Sequence, residues 1–145
     1  MPSARRRAYL QSLMERRFNI EIRPGYSETD QMGFVHHSNY VKYFETARWE
    51  LFRTLGIPYK LVEGAGFLLP VIKMEMEFLK PAFYDELLEI SVKASIIKNS
   101  QLKFEYEITC GGDIITRAYT LLAVIRRESR KATRIPPLIA EKFRD

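Results

Sequence analysis

The hydrophobic pattern of this chain changes its period once, and that change limits the folds open to it. Residues 39–55 carry apolar side chains at helical spacing. From Leu69 onward, apolar and polar side chains alternate, as they do in strands that bury one face. A long amphipathic helix followed by consecutive antiparallel strands predicts an α+β domain in which one sheet face covers the helix.

The ends of the helix and the strands follow from local signals. Ser38 or Asn39 is expected to cap the helix N-terminus, and Gly56 followed by Pro58 is expected to end it. A first strand before the helix, a short helical stretch at 58–64 and four later strands are predicted. The strands are expected at 18–22, 72–78, 88–96, 102–108 and 114–125.

The predicted last strand, 114–125, is apolar on both faces. Such a strand lies inside a sheet and is covered on both sides. Because one helix can cover only one sheet face, a second subunit is expected to cover further surface. The chain is therefore predicted to form a homodimer or a homotetramer.

Length and cysteine content are those of one ordinary globular domain. The chain has 145 residues, which predicts a single domain at residues 17–145 after a basic extension at residues 1–16. Cys110 is the only cysteine, so no disulfide within the chain is possible and a cytoplasmic location is expected. No signal peptide and no membrane-spanning segment are predicted.

The net charge of +5 is concentrated near the two ends of the chain. Residues 1–17 and residues 126–134 each carry five basic residues and one glutamate, whereas residues 18–125 carry 11 basic and 14 acidic residues. The basic ends would suit a phosphorylated small molecule or a nucleic acid. Solvated basic ends are the simpler interpretation, and no nucleic-acid partner is expected.

A polar loop at residues 26–40 leads into the helix and carries Asp30. An acid held beside the partly positive N-terminus of a helix is typical of an active site. Asp30 could instead be a turn-forming residue, since Thr-Asp before Gly33 is also turn chemistry. His36 and His37 are expected to point in opposite directions. No further possible metal ligand lies at a sequence spacing typical of metal sites, so no metal site is predicted.

The loop and the helix together resemble the signature of a known enzyme family. The matching residues are Tyr26-x-x-Thr29-Asp30-x-x-Gly33-x-Val35-x-His37-x-x-Tyr40 and Tyr43-Phe44-Glu45-x-Ala47-Arg48. They resemble the signature of the 4-hydroxybenzoyl-CoA thioesterase-like acyl-CoA hydrolases. Within that family, they are most similar to the bacterial acyl-CoA thioester hydrolases of the Tol-Pal-associated type. The resemblance implies a hotdog fold, in which a five-stranded antiparallel sheet wraps a long central helix.

The resemblance also implies a reaction, which is hydrolysis of a thioester of coenzyme A or acyl carrier protein. No metal and no bound cofactor are implied, because coenzyme A is part of the substrate. Asp30 would be the catalytic aspartate, either as a nucleophile or as a general base on water, and His37 would lie beside it. Backbone N–H groups would stabilise the oxyanion, and the resemblance assigns that role to the segment around Leu68 and Leu69. Family members usually build each site across a dimer interface.

Further residues are candidates for binding the substrate. Asn39 could cap the helix or bond near the thioester, and Glu45 is either a rival acid or an exposed partner of Arg48. Aromatic side chains could line an acyl pocket, and basic side chains suit the phosphates of coenzyme A. These candidates are Tyr26, Asn39, Tyr40, Glu45, Arg126, Arg127, Lys131 and Arg134.

Two other interpretations remain open at the level of sequence. The chain could be a non-catalytic acyl-CoA-binding or regulatory hotdog protein that uses its basic ends. It could also be a dehydratase, with His37 and Asp30 as the acid and base pair. Fold alone does not decide among them, because one fold hosts several activities.

Overall fold

The computed structural model describes Ala4 and residues 17–143. The predicted basic extension, residues 1–16, otherwise lies outside the described residues, as do residues 144–145. The elements are β1 Phe18–Ile22, a 3₁₀ helix Tyr26–Glu28, α1 Ser38–Thr54, α2 Tyr59–Gly64, β2 Phe67–Leu68, β3 Val71–Phe78, β4 Leu88–Lys98, β5 Gln101–Cys110, β6 Asp113–Ala123, β7 Ile125–Arg126 and α3 Pro137–Phe143. No helix in this part of the chain is both long enough and apolar enough to cross a membrane.

Five strands form one antiparallel sheet in the order β1-β4-β5-β6-β3, and α1 packs on one of its faces. The helix buries Phe44, Ala47 and Phe52 completely. The Phe44 ring lies 4.6 Å from that of Tyr106, between ring centroids. Burial of each such large side chain contributes about 1.5–3 kcal/mol. The predicted hotdog fold is confirmed.

The last long strand is shorter than predicted, so the predicted position of its end was wrong. β6 ends at Ala123, and β7 leaves the main sheet to pair with β2 in a small sheet of its own. The break falls at Val124, where the N–H donates to the carbonyl of Ser100 at 3.1 Å and the carbonyl accepts from Thr133 at 3.0 Å. Because these partners lie far away in the sequence, the apolar pattern could not reveal the break.

Arg48 is buried, so its predicted pairing with Glu45 on the exposed side was wrong. Only 6% of Arg48 is exposed. Its Nε donates to the Tyr59 hydroxyl at 3.0 Å, and its Nη1 donates to the Tyr106 hydroxyl at 3.0 Å. Arg48 lies four residues after the buried Phe44 and therefore shares the inner face of α1. Two phenol oxygens take the place of water around this guanidinium group.

Candidate active site

The segment before α1 folds into a tight hairpin around Asp30. Thr29 and Val35 form an isolated bridge, the Asp30 N–H donates to the carbonyl of Phe34 at 2.7 Å, and the Gly33 N–H donates to the carbonyl of Asp30 at 3.0 Å. Gly33 has φ 81°, a conformation that glycine adopts without a steric cost. The hairpin therefore holds the backbone of Asp30 in one position.

The two carboxylate oxygens of Asp30 have different surroundings. Oδ1 accepts hydrogen bonds from the N–H groups of Met32 at 2.8 Å and Phe34 at 3.1 Å. Oδ2 accepts no hydrogen bond from the described residues. The side chain thus stabilises its own turn through one oxygen and leaves the other available to a ligand. Both sequence interpretations of Asp30, turn former and acid, are compatible with this geometry.

At the N-terminus of α1, the backbone N–H of His37 is available to a ligand as far as the described residues show. The N–H groups of Asn39 and Tyr40 donate to the carbonyls of His36 and His37, and the Ser38 N–H donates to Nδ1 of His36 at 3.2 Å. The N–H of His37 has no acceptor among residues 17–143. Since helix N-termini carry a partial positive charge, this N–H suits an anionic oxygen.

The predicted cap of α1 was wrong. The His36 ring, rather than the side chain of Ser38 or Asn39, accepts the hydrogen bond at the helix start. Asn39 instead turns inward and donates from Nδ2 to the carbonyl of Glu28 at 2.9 Å and that of His36 at 3.3 Å. Only 6% of Asn39 is exposed.

The expectation that His36 and His37 point in opposite directions was also wrong. Their rings lie 4.1 Å apart between centroids and 30° from parallel. His37 already has helical dihedrals, φ −56° and ψ −28°, so the alternation of an extended chain ends one residue before it.

An open cleft of about 260 Å³ joins the Asp30 hairpin to the end of β3. It brings the two predicted catalytic residues together with Tyr40, whose ring lies 5.1 Å from that of Phe78. Burial raises the pKa of the Tyr40 hydroxyl, which therefore stays protonated at neutral pH. The lining residues are Asp30, Phe34, Val35, His37, Tyr40, Phe78, Leu79, Lys80 and Pro81.

The remaining predicted site residues do not line this cleft. Tyr26 is 77% exposed and packs edge to face on Tyr84. Glu45 is half-buried further along α1, and Leu68 belongs to β2, where it pairs with Ile125. Their roles in binding remain predictions, as do those of Leu69 and of four exposed basic residues. The latter are Arg126, Arg127, Lys131 and Arg134.

Sequence reasoning missed one wall of the cleft, the segment from Phe78 to Pro81. The hydrogen bond from the Val35 N–H to the carbonyl of Ala82, at 2.8 Å, brings this segment against the Asp30 hairpin. The stop in alternation at Phe78, followed by Pro81, marked the end of a strand. Nothing in that signal indicated that the segment returns to the loop.

Within the described residues, no three His, Cys, Asp or Glu side chains lie close enough together to hold a metal ion. The expectation that the reaction needs neither a metal nor a bound cofactor remains a prediction.

Comparisons with known proteins agree with the fold. The family model of the thioesterase-like superfamily matches residues 24–143, which include the hairpin, α1 and the whole sheet from β3 onward. The acyl-CoA thioester hydrolase YbgC of Escherichia coli O6:H1 is 27% identical over 128 residues, covering 88% of this chain and 96% of that protein.

Two solved structures give the same result in three dimensions. A hypothetical protein of Aquifex aeolicus is 30% identical with a TM-score of 0.83, covering 88% of this chain and 99% of that one. A DHNA-CoA thioesterase of Staphylococcus aureus is 28% identical with a TM-score of 0.80, covering 86% of this chain and 85% of that one. With its matched residues spanning most of its length, this chain belongs to the thioesterase-like superfamily.

Proposed function

We propose that this protein is an acyl-CoA thioesterase and that Asp30 is its catalytic carboxylate. The observation that carries the proposal is the pairing, at one cleft, of a carboxylate oxygen and a helix N-terminal N–H, neither of which has a hydrogen-bond partner in the described part of the chain. The names of two relatives support it, since one is an acyl-CoA thioester hydrolase and the other a DHNA-CoA thioesterase.

A thioester needs few catalytic groups, because its carbonyl is electrophilic and a thiolate leaves readily. In one route, Oδ2 of Asp30 takes a proton from water, and the hydroxide adds to the carbonyl carbon. In the other route, Oδ2 attacks that carbon itself and forms a mixed anhydride, which water then hydrolyses. In both routes the C–S bond breaks and the thiolate of coenzyme A leaves.

The N–H of His37 is the proposed oxyanion donor. Charge develops on the carbonyl oxygen as the tetrahedral intermediate forms, and an N–H already oriented by the helix start can bind it without reorganisation. Loss of one such donor costs about 10²–10³ in rate in other enzymes. The imidazole of His37 lines the same cleft and is proposed to orient the attacking water.

The cleft suits an apolar acyl group. Phe34, Val35, Phe78, Leu79 and Pro81 supply apolar walls. The exposed basic residues at the end of β7 and in the segment after it are proposed to meet the phosphates of coenzyme A. An acyl carrier protein presents its thioester on a single phosphopantetheine, so it would use fewer of these contacts.

The proposed working unit contains at least two chains. Among the described residues, β3 pairs only with β6, so its other edge presents unpaired backbone groups. This edge strand has eight residues, and Val71, Ile72 and Phe78 are 41%, 50% and 48% exposed. Phe78 also lines the cleft, so a second copy bound along β3 would border the site.

The first experiment is release of free thiol by the wild type and by Asp30→Asn. The panel contains aliphatic and aromatic acyl-CoAs, one acyl-pantetheine without nucleotide phosphates, and one acyl carrier protein thioester. The variant is expected to lose about 10²–10⁴-fold in kcat, because its amide can neither accept the proton nor attack the carbonyl.

The control is Glu105→Gln, which removes one negative charge from a half-buried position that does not line the cleft. It should keep the wild-type rate within about 3-fold, as expected of a surface substitution. An inert wild type would contradict the enzyme proposal and favour the non-catalytic acyl-CoA-binding alternative. An Asp30→Asn variant as fast as the wild type would contradict the role of the acid alone.

A further inference from the structure

Three parts of the site meet at the carbonyl oxygen of Glu28. This oxygen accepts the N–H of His36 at 2.8 Å and Nδ2 of Asn39 at 2.9 Å. Glu28 lies two residues before Asp30, and Asn39 lies two residues after His37. The Asn39 side chain therefore connects the segment that precedes Asp30 to the helix turn that carries the proposed oxyanion donor.

The geometry argues against Asn39 as a substrate contact, the role considered for it from sequence. Only 6% of the residue is exposed, and it does not line the cleft. Both hydrogen bonds of its amide nitrogen go to backbone carbonyls, those of Glu28 and His36. A thioester in the cleft would find no free N–H on this residue.

We propose that Asn39 is a positioning residue, which sets the distance between the Asp30 carboxylate and the N–H of His37. This inference rests on the proposed thioesterase function. The acid and the donor must reach the same carbonyl group from two directions, and a misplacement of about 1 Å can cost about 10²-fold in rate. Without the amide, the Glu28 carbonyl keeps the N–H of His36 as its hydrogen-bond donor among the described residues.

The test uses Asn39→Asp, which keeps the shape of the side chain and removes both donors. The carboxylate would also face two carbonyl oxygens, so the contact becomes repulsive. We expect kcat to fall about 10- to 100-fold while KM stays within about 3-fold, because the loss concerns alignment rather than binding. The kcat of Asn39→Ser, which keeps one short donor, should lie between those of Asn39→Asp and the wild type.

A double-mutant cycle separates positioning from a general structural role. If Asn39 acts by aligning Asp30, then adding Asn39→Asp to the Asp30→Asn protein should lower the residual rate by less than about 3-fold. If Asn39→Asp only unfolded a fraction of the protein, the rate would fall by the same factor in the wild-type and the Asp30→Asn backgrounds. Equal losses in the two backgrounds would overturn the proposal, and so would a raised KM with unchanged kcat.

A matched control is available on the same helix. Thr46 is exposed and donates from its hydroxyl to the carbonyl of Lys42 at 2.9 Å, so Thr46→Ala also removes a hydrogen bond from a side chain to a backbone carbonyl. It should leave kcat within about 2-fold of the wild type, as expected of a surface substitution.

Amide hydrogen exchange tests the connection without any activity. In Asn39→Asp the N–H of His36, which shares the Glu28 carbonyl with Asn39, should exchange at least about 10-fold faster than in the wild type. Unchanged exchange would overturn the inference. Faster exchange in a protein that hydrolyses no thioester would instead contradict the proposed function and leave the structural link standing.

Discussion

Asp30 illustrates how far a single residue can be understood from sequence. Its two interpretations, turn former and acid, were treated as alternatives because each explains the same letters. In the folded chain they concern different oxygens, since Oδ1 accepts from the N–H groups of Met32 and Phe34 while Oδ2 accepts from none of residues 17–143. Because a sequence cannot distinguish the two oxygens of one carboxylate, the two interpretations looked mutually exclusive, although the geometry is compatible with both.

Arg48 is the residue at which spacing rules misled. A Glu–Arg pair three residues apart favours a surface ion pair, but the position of Arg48 on the inner face of α1 outweighs this preference. Its guanidinium is neutralised by no carboxylate among the described residues and contacts the hydroxyls of Tyr59 and Tyr106. Those hydroxyls therefore belong to the solvation of a buried charge.

Tyr59 gives a prediction about alkaline pH. Burial raises its pKa from 10.0 to about 12, although the Arg48 charge acts in the opposite direction. Below about pH 10 both the folded and the unfolded chain keep this proton. Between about pH 10 and pH 12 only the folded chain keeps it, so the free energy of unfolding should fall as the pH rises.

Urea unfolding at a series of pH values checks this prediction. The free energy of unfolding of Tyr59→Phe should fall less steeply with pH above about pH 10 than that of the wild type. It starts about 0.5–1.5 kcal/mol lower, because a hydrogen bond is lost. Tyr84→Phe, at a position that is 53% exposed, should keep the wild-type slope. Equal slopes for Tyr59→Phe and the wild type would contradict the assignment.

At the scale of elements, the helix was predictable and the end of the sheet was not. The apolar spacing of residues 39–55 is a local property, and the observed helix, Ser38–Thr54, agrees with it within one residue at each end. The break between β6 and β7 depends on Ser100 and Thr133, which contact Val124 only after the chain has folded. Periodicity reports which face is apolar and says nothing about which partner a strand takes.

The contact between α1 and the sheet gives a prediction at this scale. Ala47 is completely buried, so Ala47→Leu adds three carbon atoms where the helix faces its neighbours. The free energy of unfolding should fall by about 1–3 kcal/mol. Urea unfolding followed by circular dichroism measures the change.

The adjacent position supplies the control for this substitution. Thr46→Leu places the same side chain on the exposed face of α1 and should change the free energy of unfolding by less than about 0.5 kcal/mol. A similar loss in both variants would mean that helix propensity, rather than packing, limits this position.

At the scale of the whole molecule, the proposed association of copies through the free edge of β3 can be tested directly. Ile72→Glu places a charge at an edge position that is 50% exposed, and in a two-fold interface the charge would meet its own copy. We expect the apparent mass in sedimentation equilibrium to shift toward that of one chain. The same measurement on the wild type distinguishes a dimer from a tetramer.

Ile97→Glu is the matched control, because Ile97 is 42% exposed near the end of β4, away from this edge. It should keep the wild-type mass. A monomeric wild type, or an Ile72→Glu variant that keeps the wild-type mass, would contradict association through β3.

The origin of each part of the cleft in the chain has a consequence for how this protein can diverge. Asp30 and His37 are seven residues apart on one continuous segment, whose turn is closed mainly by its own hydrogen bonds. The wall at Phe78–Pro81 comes from a distant segment that meets it through the backbone bond from Val35 to Ala82 and an isolated bridge between Phe34 and Phe83. In the proposed thioesterase, substitutions in that wall can therefore change which acyl groups fit while the segment that carries Asp30 and His37 is inherited as an intact unit.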